Sequence, residues 1–317
     1  MPLTTRRQLH TLCNIAIGVL LVVHWAWNCA CTEERNRQFV DAAFAGDTTR
    51  VRELLDQGVR PDDRPFHSMT AVQGAAYNRH RDTVQLLLDR GADAKSALPK
   101  AAENGDAVML AILLARSGPL TAAENASLLG QAADCGDLVC VKLMLRRGAD
   151  VNAPGGHSDM DGLAASWTPI QHAAASGSWE VFHALIEHGA DCSVRSSDGG
   201  KLLHLAASSG GSGAAAICRY LVRHGMYVNS QDGNGQTALI DAVYVRGPDA
   251  DAAAKALPKV EALLNSGADP GISDYSNRTA LDYADEGGLS QIADRLKSAL
   301  DKTKRAGRLS RPSGAQP

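Results

Sequence analysis

A spacing recurs along this chain and limits what it can fold into. Twelve residues separate Gly46 from Gly58, Gly136 from Gly148 and Gly177 from Gly189. The same step joins Arg79 to Gly91 and Gly105 to Ser117, with one glycine position substituted in each. From the end of one unit to the middle of the next the basic step is 21, as in Gly58 to Arg79 and Gly189 to Gly210, which gives a period of 33. A fixed period of this length marks a solenoid, in which each unit buries its apolar face only against its neighbours.

The best-preserved unit is Trp167–Asp191. Thr168 caps a first helix and Pro169 suits its first turn. Ile170, Ala173 and Ala174 fall on one face at helical spacing, and Gly177 supplies the positive φ that ends the helix. Val181, Phe182, Leu185 and Ile186 give a second helix its apolar stripe, which Gly189 stops. Two such helices have no core alone. With aromatic residues at only 4%, alanine and leucine do the packing, which favours short close-packed helices over a β-sandwich.

The sequence Thr168-Pro169-Ile170-Gln171-His172-Ala173-Ala174 is similar to the TPLHxAA signature of ankyrin repeats. The endings at 90–93, 188–191 and 266–269 and the run Gly148-Ala149-Asp150-Val151-Asn152 resemble that family's GADVN ending. The resemblance covers residues 36–300. It implies an all-α ankyrin-repeat solenoid of about eight stacked helix-turn-helix units with short β-turn fingers. The repeat domain is drawn as residues 32–300. Gln38–Pro61 reads as an N-terminal cap and Thr279–Leu300 as a C-terminal cap. The third unit, Ala97–Gly118, is degenerate and is expected to lack its finger. The fourth is expected to run from Ser127 to Asn152. Insertions fall at 154–165, at Gly210–Gly213 and at 247–256.

Function is expected on the inner helices and fingers, because the resemblance implies that they line a groove that binds protein. The two residues before each mid-unit position and the residue before each finger threonine supply the candidates: Met69, Tyr77, Asn78, Glu103, Asn104, Asp134, Trp167, Ser176, Ser208, Ser209, Gln236, Tyr244 and Arg278. Tyr77, Trp167 and Tyr244 are the sharpest of these, since large amphipathic rings dominate interface energetics. Trp179 is read as surface packing. His204 matches the signature histidine of the family, which implies a structural role.

Catalysis is not expected. The five histidines at 172, 183, 188, 204 and 224 occupy different unit positions, and no nucleophile, base and orienting group come together by spacing. An enzyme built on the inserted loops is the remote alternative. His157, Asp159 and Asp161 lack a fourth ligand, so neither a metal nor a cofactor is expected. Gly210–Gly213 follows a helix and lacks GK[ST], so it reads as a loop insertion and no phosphate cradle. Cys135, Cys140, Cys192 and Cys218 form no zinc spacing and read as free thiols in alanine-rich helices, although export would allow a disulfide. Between residues 32 and 300 stand 25 basic against 34 acidic residues, a balance of −9, which argues against nucleic acid as a partner. No small-molecule substrate is expected.

Arg6 and Arg7 precede a mostly apolar run from Leu12 to Trp27. Residues 1–31 are therefore expected to be a signal peptide or membrane anchor, placing the repeats on the exported, periplasmic side. A periplasmic inhibitor of the immunity-protein type is the alternative functional reading. Residues 301–317 hold five basic residues and one acid and are expected to form a disordered basic tail.

Overall fold

The computed structural model describes residues 32–65, 69–155, 167–195, 201–244 and 251–309. The N-terminal segment, most of the 154–165 insertion with His157, Asp159 and Asp161, and the last eight residues lie outside the described residues. Sixteen helices are present among the described residues, and they follow one another in pairs. Helix α1 covers residues 32–45, followed by α2 (Thr48–Asp56), α3 (Ala71–Tyr77), α4 (Arg81–Asp89), α5 (Ala94–Glu103) and α6 (Ala107–Arg116). Then come α7 (Ala122–Asp134), α8 (Leu138–Arg146), α9 (Pro169–Ser176), α10 (Trp179–Glu187) and α11 (Leu202–Ser208). The last are α12 (Ala214–Arg223), α13 (Ala238–Val243), α14 (Ala252–Asn265), α15 (Ala280–Glu286) and α16 (Ser290–Leu309). Isolated antiparallel bridges join Arg195 to Lys201, Gln231 to Thr237 and Ser273 to Thr279, and these close the fingers before α11, α13 and α15.

Two compact units divide these elements. The first takes residues up to Ala101 together with Val108–Gly118. Its core is Phe39, Val51, Leu54, Val72, Val84 and Leu87, all essentially without solvent contact. Helix α4 packs on both α2 and α3. The second takes Ala102–Ala107 and everything from Pro119 onward. In it one layer runs α7, α9, α11, α13, α15, each on the next, and the other runs α8, α10, α12, α14, α16. Ile170, Ala173, Ala174, Val181, Phe182 and Leu185 are all fully buried, as the apolar pattern of that unit requires.

The left-handed positions fall where the spacing puts them, with three informative departures. Arg79 holds φ 63° at a position where most other units have glycine. In the third unit the left-handed residue is Gly118 and not Ser117, because α6 has ten residues where α2, α4, α8 and α10 have nine. Gly210 is not left-handed. Helix α11 stops instead at Ser209, which is extended at φ −64°, ψ 144°. From there the glycine-rich insertion folds down onto Gly177, and the Gly213 N–H donates to Gly177 O at 3.1 Å. A side chain at Gly211 would strike Ser176 O and the Gly177 backbone, which explains why this loop is glycine.

Helix limits also differ from the pattern. The third unit begins at Ala94, two residues after Ala92, and has no bridge, so its finger is absent among the described residues. The fourth starts earlier than Ser127: Thr121 caps α7, receiving Glu124 N–H at 3.2 Å while its own N–H donates to the Glu124 carboxylate at 2.6 Å. Residues 252–256 of the third insertion are helical, as the alanine-rich run there favours, and they lengthen α14 to 14 residues around Pro258. The last helix continues to Leu309, beyond the expected end at Leu300.

One buried charge ties two pairs together. Lys259 of α14 is 5% exposed, and its Nζ donates to Ala207 O at 2.6 Å and Ser209 O at 2.7 Å. These are carbonyls at the C-terminal end of α11, where a cation also meets the negative end of the helix dipole. Burial lowers the lysine's pKa, while Cys218 and Asp241 act to raise it. Lys259→Met keeps the packing and removes the donor, so a loss of about 1–3 kcal/mol in urea unfolding is expected from two buried carbonyls left unpaired. Arg79→Gly relieves a left-handed side chain and is expected to raise stability by about 0.5–1 kcal/mol, read as a higher thermal midpoint.

Candidate functional site

In the first unit, Tyr77 ends α3 and Phe44 lies near the end of α1. Their rings stack at 6.1 Å and 17°, and each is 45% exposed. The Phe44 ring rests over Gly74, where a side chain would touch it. Met69, just before the α3 cap Thr70, is 37% exposed. Three large apolar side chains thus stand half in water on consecutive pairs. Asn78 is engaged differently: its Nδ2 donates to Phe44 O at 2.6 Å, so the amide expected to meet a partner holds two repeats together.

In the second unit the expected residues separate into three groups. Ser208 is exposed, with its hydroxyl donating to Leu205 O at 3.0 Å. Glu103 and Asn104 are half-buried at the end of α5, and Asp134 is exposed at the end of α7. Ser176 is half-buried, and its hydroxyl lies within 3.1–3.4 Å of Ser178 Oγ, Ala173 O and Ala133 O, so it serves packing. Ser209 is 4% exposed, with its hydroxyl accepting from Gly211 N–H and its carbonyl taken by Lys259. Ser209 is therefore not surface, because the insertion that follows pulls it inward.

Trp167 is half-buried with its ring 5.5 Å from that of His172. His172 is buried, with Nε2 donating to Gly155 O at 3.0 Å and Nδ1 facing Asp134 at 3.4 Å. His204 is buried as well. Its Nδ1 accepts from Lys201 N–H at 3.2 Å, which leaves Nε2 to donate to Ser230 O at 3.0 Å. Both histidines hold loops in place. Trp179 packs against Phe182 and Tyr220, with centroids at 6.3 and 5.7 Å.

The last two fingers carry a polar cluster that includes Gln236, Tyr244 and Arg278. The Asp232 carboxylate accepts from Asn234 N–H at 2.9 Å and Gln236 N–H at 2.8 Å. Asp274 does the same for Ser276 at 2.8 Å and Arg278 at 3.0 Å, and also receives the Tyr283 hydroxyl at 2.6 Å. The Arg278 guanidinium lies 4.3 Å over the Tyr283 ring, and Tyr244 meets that ring edge-on at 5.5 Å. Tyr244 is 46% exposed and Tyr275 74%. Tyr283, the buried anchor of the group, was not among the sequence candidates. Its signal is a tyrosine on the apolar face of α15, nine residues after a finger aspartate.

The thiols offer no nucleophile. All four described cysteines are free. Burial drives each thiol upward, Cys218 to about 12, so they stay protonated at neutral pH.

Comparison with known proteins agrees with this architecture. A family described as ankyrin repeats (3 copies) matches residues 129–232 and 172–257. The ankyrin repeat, SAM and basic leucine zipper domain-containing protein 1 of Atelerix albiventris is 41% identical over 69 residues, which is 22% of this chain and 14% of that protein. Its counterparts from Oryctolagus cuniculus and Equus caballus are 42% and 44% identical over 62 residues, 20% of this chain and 13% of each. The chain thus spans about one seventh or less of the length of these relatives. The expected periplasmic localisation is contradicted by these relatives, which are mammalian proteins, from cells that have no periplasm. Among the described residues no helix is long and apolar enough to cross a membrane.

Asp274 gives the cluster a pH signature. Burial acts to raise its pKa, but the Tyr283 hydroxyl and the N–H groups of Arg278 and Ser276 outweigh it and hold the carboxyl below its ordinary value. Its stabilisation is thus present above the unfolded carboxylate pKa, about 3.9, and is lost as pH falls through the lower folded value. Asp274→Asn is expected to cost about 1–2 kcal/mol at pH 7 in denaturant unfolding, and the gap from the parent protein should close below pH of about 4. On its period, its helix pairs and its finger bridges the chain has an all-α repeat fold, and residues 129–257 match ankyrin repeats.

Proposed function

We propose that this chain is a non-catalytic protein-binding module that holds its partner on the inner helices and fingers. The observation that carries this reading is the run of Phe44, Met69 and Tyr77, which stay 37–45% exposed in a unit whose other large apolar side chains are mostly buried. Large exposed apolar side chains grouped in one unit mark interaction sites, and aromatic side chains concentrate binding energy. Tyr244, Gln236 and Arg278 form a second contact surface in the other unit, pre-organised by Tyr283 and Asp274. Rigid side chains lose little entropy on binding, so the fixed ring geometry favours affinity. Ser208, Glu103, Asn104 and Asp134 add polar side chains at further inner positions, and Trp167 adds a half-buried ring.

The repeat family is generally non-catalytic, and the protonated thiols and loop-holding histidines agree with a binding role. The inhibitor alternative loses its periplasmic setting.

Capture of partners on the immobilised full chain, followed by titration calorimetry, tests the reading. Tyr77→Ala is expected to weaken the captured partner at least about tenfold, roughly 1.4 kcal/mol or more, while leaving the unfolding midpoint nearly unchanged. Unchanged affinity for Tyr77→Ala, Phe44→Ala and Tyr244→Ala would remove the inner surface from the binding site.

A further inference from the structure

The charge balance of the body is acidic, yet one cleft on the other helix layer is not. Between α12 and α14 lies a cavity of about 410 Å³ with Val222 and Ala262 among its lining residues. Arg219 and Arg223 line it from α12, and Asn265 lines it from α14. All three of these side chains are exposed. Among the described residues no carboxylate pairs with either guanidinium, although Glu261 lines the same cleft. Glu261 is instead bound to Arg295 of α16 at 2.6 Å, which neutralises it. Arg223, the last residue of α12, complements that helix's C-terminal dipole. Arg219 stands one turn earlier and gains little from it. Like charges four residues apart on a helix repel, so this pair is a net cost to the isolated protein. A second cavity of about 460 Å³, between α14 and α16, shares Glu261 and Asn265 with the first and adds Lys302. The second cleft is also lined by Arg295 and Asp269 and is balanced in charge, so the excess of cations that the fold does not neutralise lies in the α12–α14 cleft.

We propose that the α12–α14 cleft is a second binding site, separate from the inner surface, and that it takes a glutamate- and aspartate-rich segment of a partner protein. A guanidinium fork pairs with a carboxylate through two parallel hydrogen bonds, and Asn265 adds a carboxamide donor at the opposite rim. The adjoining cleft gives such a segment room to continue toward Lys302. Charge complementarity of this kind sets on-rate and partner choice.

The test is fluorescence anisotropy of a fluorescein-labelled peptide of alternating glutamate and glycine against the full chain. The paired substitution Arg219→Ala with Arg223→Ala is expected to lower affinity at least about tenfold with the circular dichroism spectrum unchanged. Arg146→Ala with Arg147→Ala removes the same charge from exposed positions at the end of α8 and is expected to change affinity less than about twofold. Arg219→Lys with Arg223→Lys should recover only part of the loss, since lysine lacks the fork. Equal losses from the α8 and α12 pairs would reduce the effect to non-specific charge and overturn the proposal. So would wild-type affinity in the α12 pair. Binding of a phosphoserine peptide or of anionic vesicles in place of the glutamate peptide would overturn the choice of occupant.

Discussion

Every helix before α16 is short, most of them seven to ten residues, and helices of that length are marginal in water. What holds them is burial between neighbours. The alanines at 173, 174, 206, 207 and 284 are fully buried and let adjacent helices approach closely. The left-handed residue after most helices is the geometric partner of that packing, since it turns the chain back at the same point in each pair. Where the position is altered, the consequences are local and specific: Arg79 carries strain, α6 gains a residue to reach Gly118, and α11 ends in an extended Ser209.

This explains why the fold was legible and the binding surface less so. A period of 33 and the apolar stripe of residues 170–186 depend only on local spacing, so the helix pairs follow directly. The lost third finger was legible too, because Gly91 to Gly105 spans 14 residues where the basic step is 21. Surface assignments by position fail where side chains find partners across repeats. Asn78, Ser176 and Ser209 sit at the expected places, but hydrogen bonds to neighbouring repeats and, for the Ser209 hydroxyl, to its own turn consume their polar atoms. Lys259 was missed for the converse reason. It shares the apolar stripe of α14 with Ala256, Val260 and Leu263, and only the third dimension shows that its ammonium reaches two carbonyls. The early start of α7 was readable, since Thr121 and Glu124 have capping-box spacing.

Two kinds of exposed surface stand out among the elements. The inner positions present rings fixed by other rings: Tyr77 by Phe44, and Tyr244 by Tyr283. The α12–α14 layer presents guanidiniums and an uncharged amide. A net charge summed over the body hides this arrangement. A single figure of −9 describes solubility better than it describes what the surface can bind.

Lys259 also has a consequence for how the molecule opens. Terminal repeats of a solenoid ordinarily fray one at a time, because each meets only its immediate neighbour. Here α14 cannot peel away without exposing an ammonium and two carbonyls at once, and those carbonyls end α11 beneath the glycine loop that presses on Gly177. The repeats containing α9, α11 and α14 are therefore coupled into one cooperative block. Amide exchange there would proceed through a single shared opening, while α16 exchanges on its own.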